Sequence, residues 1–275
     1  MQNISIPTIH LFPAIEAHLL QTLHSLTHQQ WNKPTIAKQW TVKDVAAHLL
    51  DGNIRSIARR DNHFSDPPGN IYTYNDLVSY INGLNAEWIH AMKRVSPQTL
   101  ISLLESTGKQ YYEQLTLLDP LAPSVFAVSW AGETTSLNWF HIAREYTERW
   151  HHQQQILDAT GKTGLMTREF YYPVLDTFMM ALPYTFNNTD APVNTVVRVS
   201  ITGDAGGDWF LVKKENWELT KKNILPLAAQ CTIEGATAWK LFTKSLRKED
   251  VQQHVSIKGD AMLAEIVLEM ISVMA

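Results

Sequence analysis

The hydrophobic period of this chain changes once, near residue 190. Before that point apolar residues recur at three- and four-residue intervals, as in Ile15, Leu19, Leu20, Leu23 and Leu26. After it, "NTVVRVSIT" alternates β-branched and polar residues. A period of 3.6 commits a segment to an amphipathic helix, and a period of two commits it to a half-buried strand. A run of helices followed by a run of strands points to an α+β chain, not to an interleaved parallel sheet. The expected organisation is a helical part over residues 1–165, a linking helix over 166–190 and a small α+β domain over 191–275.

Punctuation residues refine the helical part. A first helix is expected from about Pro13 to Gln30. Thr41 with Asp44 three residues on makes a capping-box-like start for a helix from about Val42 to Arg60. "DNHFSDPPGN" reads as a turn-rich loop, and Thr73 or Asn75 caps a third helix through about Arg94. Ser96 before Pro97 opens a fourth. Residues 119–136 form a connection, after which Ser136 caps a helix ending near Gly161. "TREFYYPVLDTFMMALPYTF" is expected to be helical and ended by Pro183. Beyond it, "NTVVRVSIT", "GDAGGD" and "WFLVKK" make a hairpin signal, with further strands at "AQCTIEG" and "QHVSIKG". "ATAWKLFTKSL" and "DAMLAEIVLEMISVM" have helical periodicity.

Composition narrows the function classes. The chain has 275 residues, 45% of them hydrophobic, which suffices for a sizeable core. Its net charge of −4 is made of mixed signs, which argues against nucleic-acid or anionic-membrane binding. The one cysteine, Cys231, rules out an internal disulfide framework and a Cys-rich zinc site, and suits a reducing compartment. No signal peptide is read at the N-terminus, and no apolar run reaches the roughly 18 residues that a membrane span needs. A cytoplasmic globular protein is expected.

One stripe carries chemistry. In "EYTERWHHQQQI" and the turn before it, His141, Glu145, Glu148 and His152 follow at +4, +3 and +4. At about 100° per residue they fall within a band about 60° wide. Glu148 and His152, at i and i+4, can address one atom. A carboxylate and an imidazole on one face supply two ligands of a metal site, although the same pair also suits a solvated or self-paired helix face. The best third ligand is His48, which shares a stripe with Asp44, Gly52, Arg55 and Arg59. Asp44 is read as a cap and Gly52 as room for a ligand or a partner helix. Glu145 and His141 are candidates for orienting a ligand from behind. Arg55 and Arg59 are candidates for holding an anionic substrate or thiol, or for a plain ion pair. His151 is expected to face away from the site.

At these residues the sequence resembles a known family. "WTVKDVAAHL", followed about 100 residues later by "ERWHHQQQI", is similar to the DinB-like bundle proteins, in particular to the mycothiol-dependent maleylpyruvate isomerase branch. There a W-T-x-x-D-x-x-x-H-L segment gives one metal-binding histidine and an E-x-x-x-H pair gives the other two ligands. The matching positions are His48, Glu148 and His152. The C-terminal part, from "VRVSITGDAGGDWFLVKK" onward, resembles a sterol-carrier-like α+β domain. The resemblance implies an up-down-down-up four-helix bundle, a divalent ion (zinc or nickel) with open positions, and a low-molecular-weight thiol held as thiolate to attack an electrophilic small molecule. The family's substrate-serving arginine falls on Thr243–Lys244 here. Lys244 keeps the charge without the planar fork, and Arg247 stands one turn on.

Three functions follow. The first is a metal-dependent thiol transferase or maleylpyruvate-isomerase-like enzyme. The second is hydrolysis by metal-activated water, with Glu145 as the available base. The third is a non-enzymatic carrier of a lipid or other small molecule with a structural metal. Monomer and homodimer both stay open.

Overall fold

The structure is a computed structural model, described here over residues 5–37, 39–61 and 71–273. It is 55% helical and 13% strand, an α+β chain with a helical N-terminal region. The turn-rich stretch after residue 61 lies outside the described residues.

The helical elements are α1 (Phe12–His24), α2 (His28–Trp31), α3 (Val42–Arg60), α4 (Tyr74–Met92), α5 (Pro97–Thr116) and α6 (Asn138–Thr160). They begin where polar caps dictate. Thr27, Thr41 and Thr73 each accept a hydrogen bond from the backbone N–H three residues on, and Gln30, Asp44 and Asp76 return one to the cap. Such a cap satisfies two of the N–H groups that a helix start leaves without partners. Of the alternatives Thr73 and Asn75, Thr73 is the cap. The expected first helix breaks at Ser25, because Thr27 is a good cap and opens a separate turn. Ser136 does not open α6: its hydroxyl accepts instead from the Val128 N–H at 2.8 Å.

The described chain forms two compact units, with the change of unit falling inside α6. One comprises Thr8–Asp119 and Glu148–Gly164. Within it α3 packs against α5 and α4, and α1 against α5. Its apolar core includes Leu19, Leu23, Val45, Leu49, Leu100, Leu104 and Ile156. The other is built around Pro120–Thr147 and the chain from Leu165 on. It carries α7 (Arg168–Met179), α8 (Leu182–Thr185), β1 (Val196–Thr202), β2 (Gly207–Lys213), β3 (Trp217–Thr220), β4 (Ala229–Glu234), α9 (Gly235–Phe242), β5 (Val255–Gly259) and α10 (Ala261–Ile266).

The sheet order is β3-β2-β1-β4-β5, with β1 and β4 parallel and the other neighbours antiparallel. The parallel step requires a crossover, which is the connection from Thr220 at the end of β3 to Ala229 at the start of β4. The sheet's register follows the expected hairpin, but β3 is an added strand: four residues are too few to show an alternation. Pro183 does not stop the linking helix. That helix, α7, ends at Met179, and Pro183 sits in the first turn of α8, where a missing N–H costs nothing. The last helical segment is also shorter than its periodicity suggests, with α10 passing into a 3₁₀ turn and an extended Met270.

Candidate metal centre

Position begins with α3. Thr41 N–H donates to Asp44 Oδ2 at 3.0 Å, Asp44 N–H donates to Thr41 Oγ1, and Lys93 Nζ meets Asp44 Oδ1 at 2.6 Å. Asp44 is therefore consumed by the cap and the lysine, as the sequence suggested, and is no ligand. The fixed start sets the phase of the helix and places His48 one turn further on.

The facing residues come from the C-terminal part of α6. Arg149 to Leu157 are all buried, although six of these nine residues are Arg, His or Gln. That removes the solvated-face reading, since buried polar side chains require partners. Arg149 finds Glu16, with Nη1 to Oε2 at 3.0 Å, and its guanidinium lies 4.3 Å from the Tyr111 ring centre. Glu148 and His152 turn to His48. One ligand atom from each of His48, Glu148 and His152 lies within 4.8 Å of the other two.

The centre is walled by rings. The His48 and His152 ring centres are 4.6 Å apart in an edge arrangement, and the Trp40 ring lies 4.9 Å from that of His48. His151 does not face away as expected. It is buried, with its ring centre 3.9 Å from that of His152, because this stretch of helix has no solvent side to turn toward. His152 Nε2 is 3.4 Å from Glu148 Oε2, and its Nδ1 is 3.0 Å from Gln155 Oε1. Trp40, His151 and Gln155 were missed as site residues. Trp40 stands beside the Thr41 cap, and Gln155 follows His152 by three residues, the spacing of a helical neighbour.

The electrostatics favour ligands in their binding-competent forms. Burial, reinforced by the nearby His152, holds the His48 imidazole well below its usual pKa, against the pull of Glu148; His151 and Arg55 add to the lowering. Burial alone would raise the Glu148 carboxyl. The hydrogen bond from His152 and the charges of His151, His152 and His48 outweigh it and bring it down to about 2. Near neutral pH this leaves a carboxylate facing an unprotonated His48 imidazole.

These residues fit a divalent ion. His48 Nδ1 is buried and has no hydrogen-bond partner, a costly state for a ring nitrogen that an adjacent cation or its water would relieve. Two imidazoles and one carboxylate form the donor set of an open zinc site and suit nickel equally well.

The other predicted residues have partners of their own. His141 and Glu145 lie in the second unit, bound to Arg144: Arg144 Nη2 is 2.7 Å from His141 Nδ1 and 3.0 Å from Glu145 Oε1. Arg55 pairs with Asp51 and donates to Asn85 Oδ1 at 3.3 Å, while lying close enough to influence His48. Arg59 is half-buried, one turn beyond Arg55 on α3. Lys244 is exposed with φ 57°, in the turn that ends α9. Arg247 is exposed and capped to Asp250 at 3.3 Å.

Fold and centre together define a helical unit with a candidate metal site, followed by an α+β unit. The sequence profile of the mycothiol maleylpyruvate isomerase N-terminal domain matches residues 12–157, more than half of the chain, and the chain belongs to that family. Its members are enzymes of the thiol-dependent isomerase or transferase kind. Two solved structures, the mycothiol-dependent maleylpyruvate isomerase and a histidine-to-alanine variant of it, are similar over 95% of this chain and 98% of theirs. Each has a TM-score of 0.56 at 11% identity, which shows a shared fold. No curated protein matches by sequence. Among the described residues no helix is long and apolar enough to cross a membrane.

Proposed function

We propose that this chain is a divalent-metal-dependent enzyme of a reducing, cytoplasmic compartment that uses a low-molecular-weight thiol against an electrophilic small molecule, in the manner of a thiol transferase or a maleylpyruvate isomerase. The observation that carries this reading is the convergence of His48, Glu148 and His152 within 4.8 Å. When bound there, zinc or nickel would lower the pKa of a coordinated thiol and so supply a thiolate at neutral pH, for addition to a double bond or for displacement.

The chain's own residues prepare that chemistry. Glu148 brings one negative charge to the centre, so a divalent ion would keep net positive charge and favour an anionic sulfur. Trp40 and the His151 ring border the imidazoles and limit water on their side. Arg55 and Arg59, continuing the His48 stripe of α3, are the proposed contacts for an anionic group of substrate or thiol.

The other two readings have less support. Metal-activated hydrolysis needs a free base, and Glu145 is engaged by Arg144. The carrier reading needs an apolar cavity. The α+β unit has a cavity of about 330 Å³, but Thr202, Asp204, Glu234 and glycines line much of it.

The deciding experiment is elemental analysis of protein made without an affinity tag, beside a His48→Ala, Glu148→Ala, His152→Ala triple variant. About one zinc or nickel per chain, lost in the variant, is expected, followed by turnover that requires an added thiol. No metal uptake by the parent sinks the proposal.

A further inference from the structure

The proposed ligand His152 has a partner on its far side. Its Nδ1 lies 3.0 Å from Oε1 of Gln155, and both residues are buried. An amide oxygen can only accept, so this contact is a hydrogen bond only if Nδ1 carries the proton. That leaves Nε2, on the Glu148 side and 3.4 Å from Oε2, as the nitrogen that can give up its proton and offer a lone pair to an ion. A helix supplies this geometry locally, since residues three apart are neighbours on one face.

We propose that Gln155 is the positioning residue of the centre: it holds His152 in the Nδ1–H tautomer and so aims Nε2 at the site occupied by the ion. This rests on the metal reading above but concerns a residue outside the ligand set. The amide matters as well as the position. A carboxylate at 155 would orient the ring equally well but add a second negative charge beside Glu148. Gln155 fixes the tautomer at no cost in charge, which preserves the positive field that draws an anionic sulfur.

The test has two readouts. Nitrogen-15 NMR of metal-free protein with labelled histidine, with His152 assigned by a His152→Ala variant, reports which ring nitrogen carries the proton. Chelator competition with zinc alone reports affinity. The parent is expected to show His152 as Nδ1–H. Gln155→Leu should give mixed tautomers and a zinc affinity about 10- to 100-fold weaker. Gln155→Asn keeps the amide but is one methylene shorter, and should weaken affinity in the same direction with the fold polar at that position. Gln155→Glu should restore the tautomer and bind zinc at least as tightly as the parent. A parent His152 protonated at Nε2 and bare at Nδ1, or a Gln155→Leu variant with unchanged tautomer and affinity, overturns the inference. If the parent binds no zinc, the metal reading fails, and the tautomer result still decides whether Gln155 orients the ring.

Discussion

Helix α6 carries two histidine–carboxylate pairs at the same i, i+4 spacing, and they end in different states. His141 and Glu145 share the Arg144 guanidinium, a fixed cation that satisfies both. Among the described residues no such cation pairs with Glu148 and His152. Their neighbours are His48, His151 and Gln155, groups that are neutral or can become so. A carboxylate closed by arginine is a finished ion pair. A carboxylate among imidazoles, with one buried ring nitrogen lacking a partner, is a donor set awaiting a cation. Spacing is therefore no guide to a metal site until the third party is known.

The strongest way to break this comparison is to mutate both pairs. His48→Ala or His152→Ala should remove stoichiometric zinc, with affinity falling by more than about 100-fold, beyond the usual loss for a residue behind a ligand. His141→Ala and Glu145→Ala should leave the zinc content of purified protein unchanged. Equal losses from both pairs would erase the distinction.

The closed pair should show itself in stability instead. Arg144→Met strands a partly buried carboxylate and should lower stability by about 2 kcal/mol in thermal unfolding, with zinc affinity unaltered.

Asp44, the other arginine- or lysine-closed carboxylate of the predicted stripes, sharpens the contrast through pH. Burial raises its pKa, but Lys93 and the Thr41 cap outweigh that and leave it below the ordinary 3.8. A depressed folded pKa contributes stability that is present above 3.8 and lost as pH falls through the folded value. Acid titration of the parent should therefore show a loss of about 1 kcal/mol below that point, which Asp44→Asn removes. An identical acid profile for the variant would deny Asp44 its structural role.

The smallest effect is expected at Gly52. A Cβ there would meet nothing within 4 Å, so Gly52→Ala should stabilise α3 by about 0.5–1 kcal/mol. If turnover falls while zinc binding holds, the space beside His48 admits substrate or thiol. If turnover is unchanged, the glycine serves neither.

Much of this was legible from local rules. Thr41–Asp44 announced the start of α3, and Glu148–His152 announced a shared face, because capping and the i, i+4 relation are properties of one helix. Where a second element decided, local rules failed. Thr27 captured a turn that periodicity assigned to the first helix. Pro183 opened α8 instead of closing α7. His151 was assigned to an outer face that a fully buried stretch of α6 does not possess.

By itself, the sequence determined the α+β class, the helical stripes and the identity of the three candidate ligands, since period, caps and residue type are written along the chain. Only the tertiary structure decided that His48 meets Glu148 and His152 across a hundred residues, and that the stretch from Arg149 to Leu157 is buried with its polar side chains. Those outcomes depend on which helix faces are buried against one another, and burial is what turns a polar side chain into one that must find a partner.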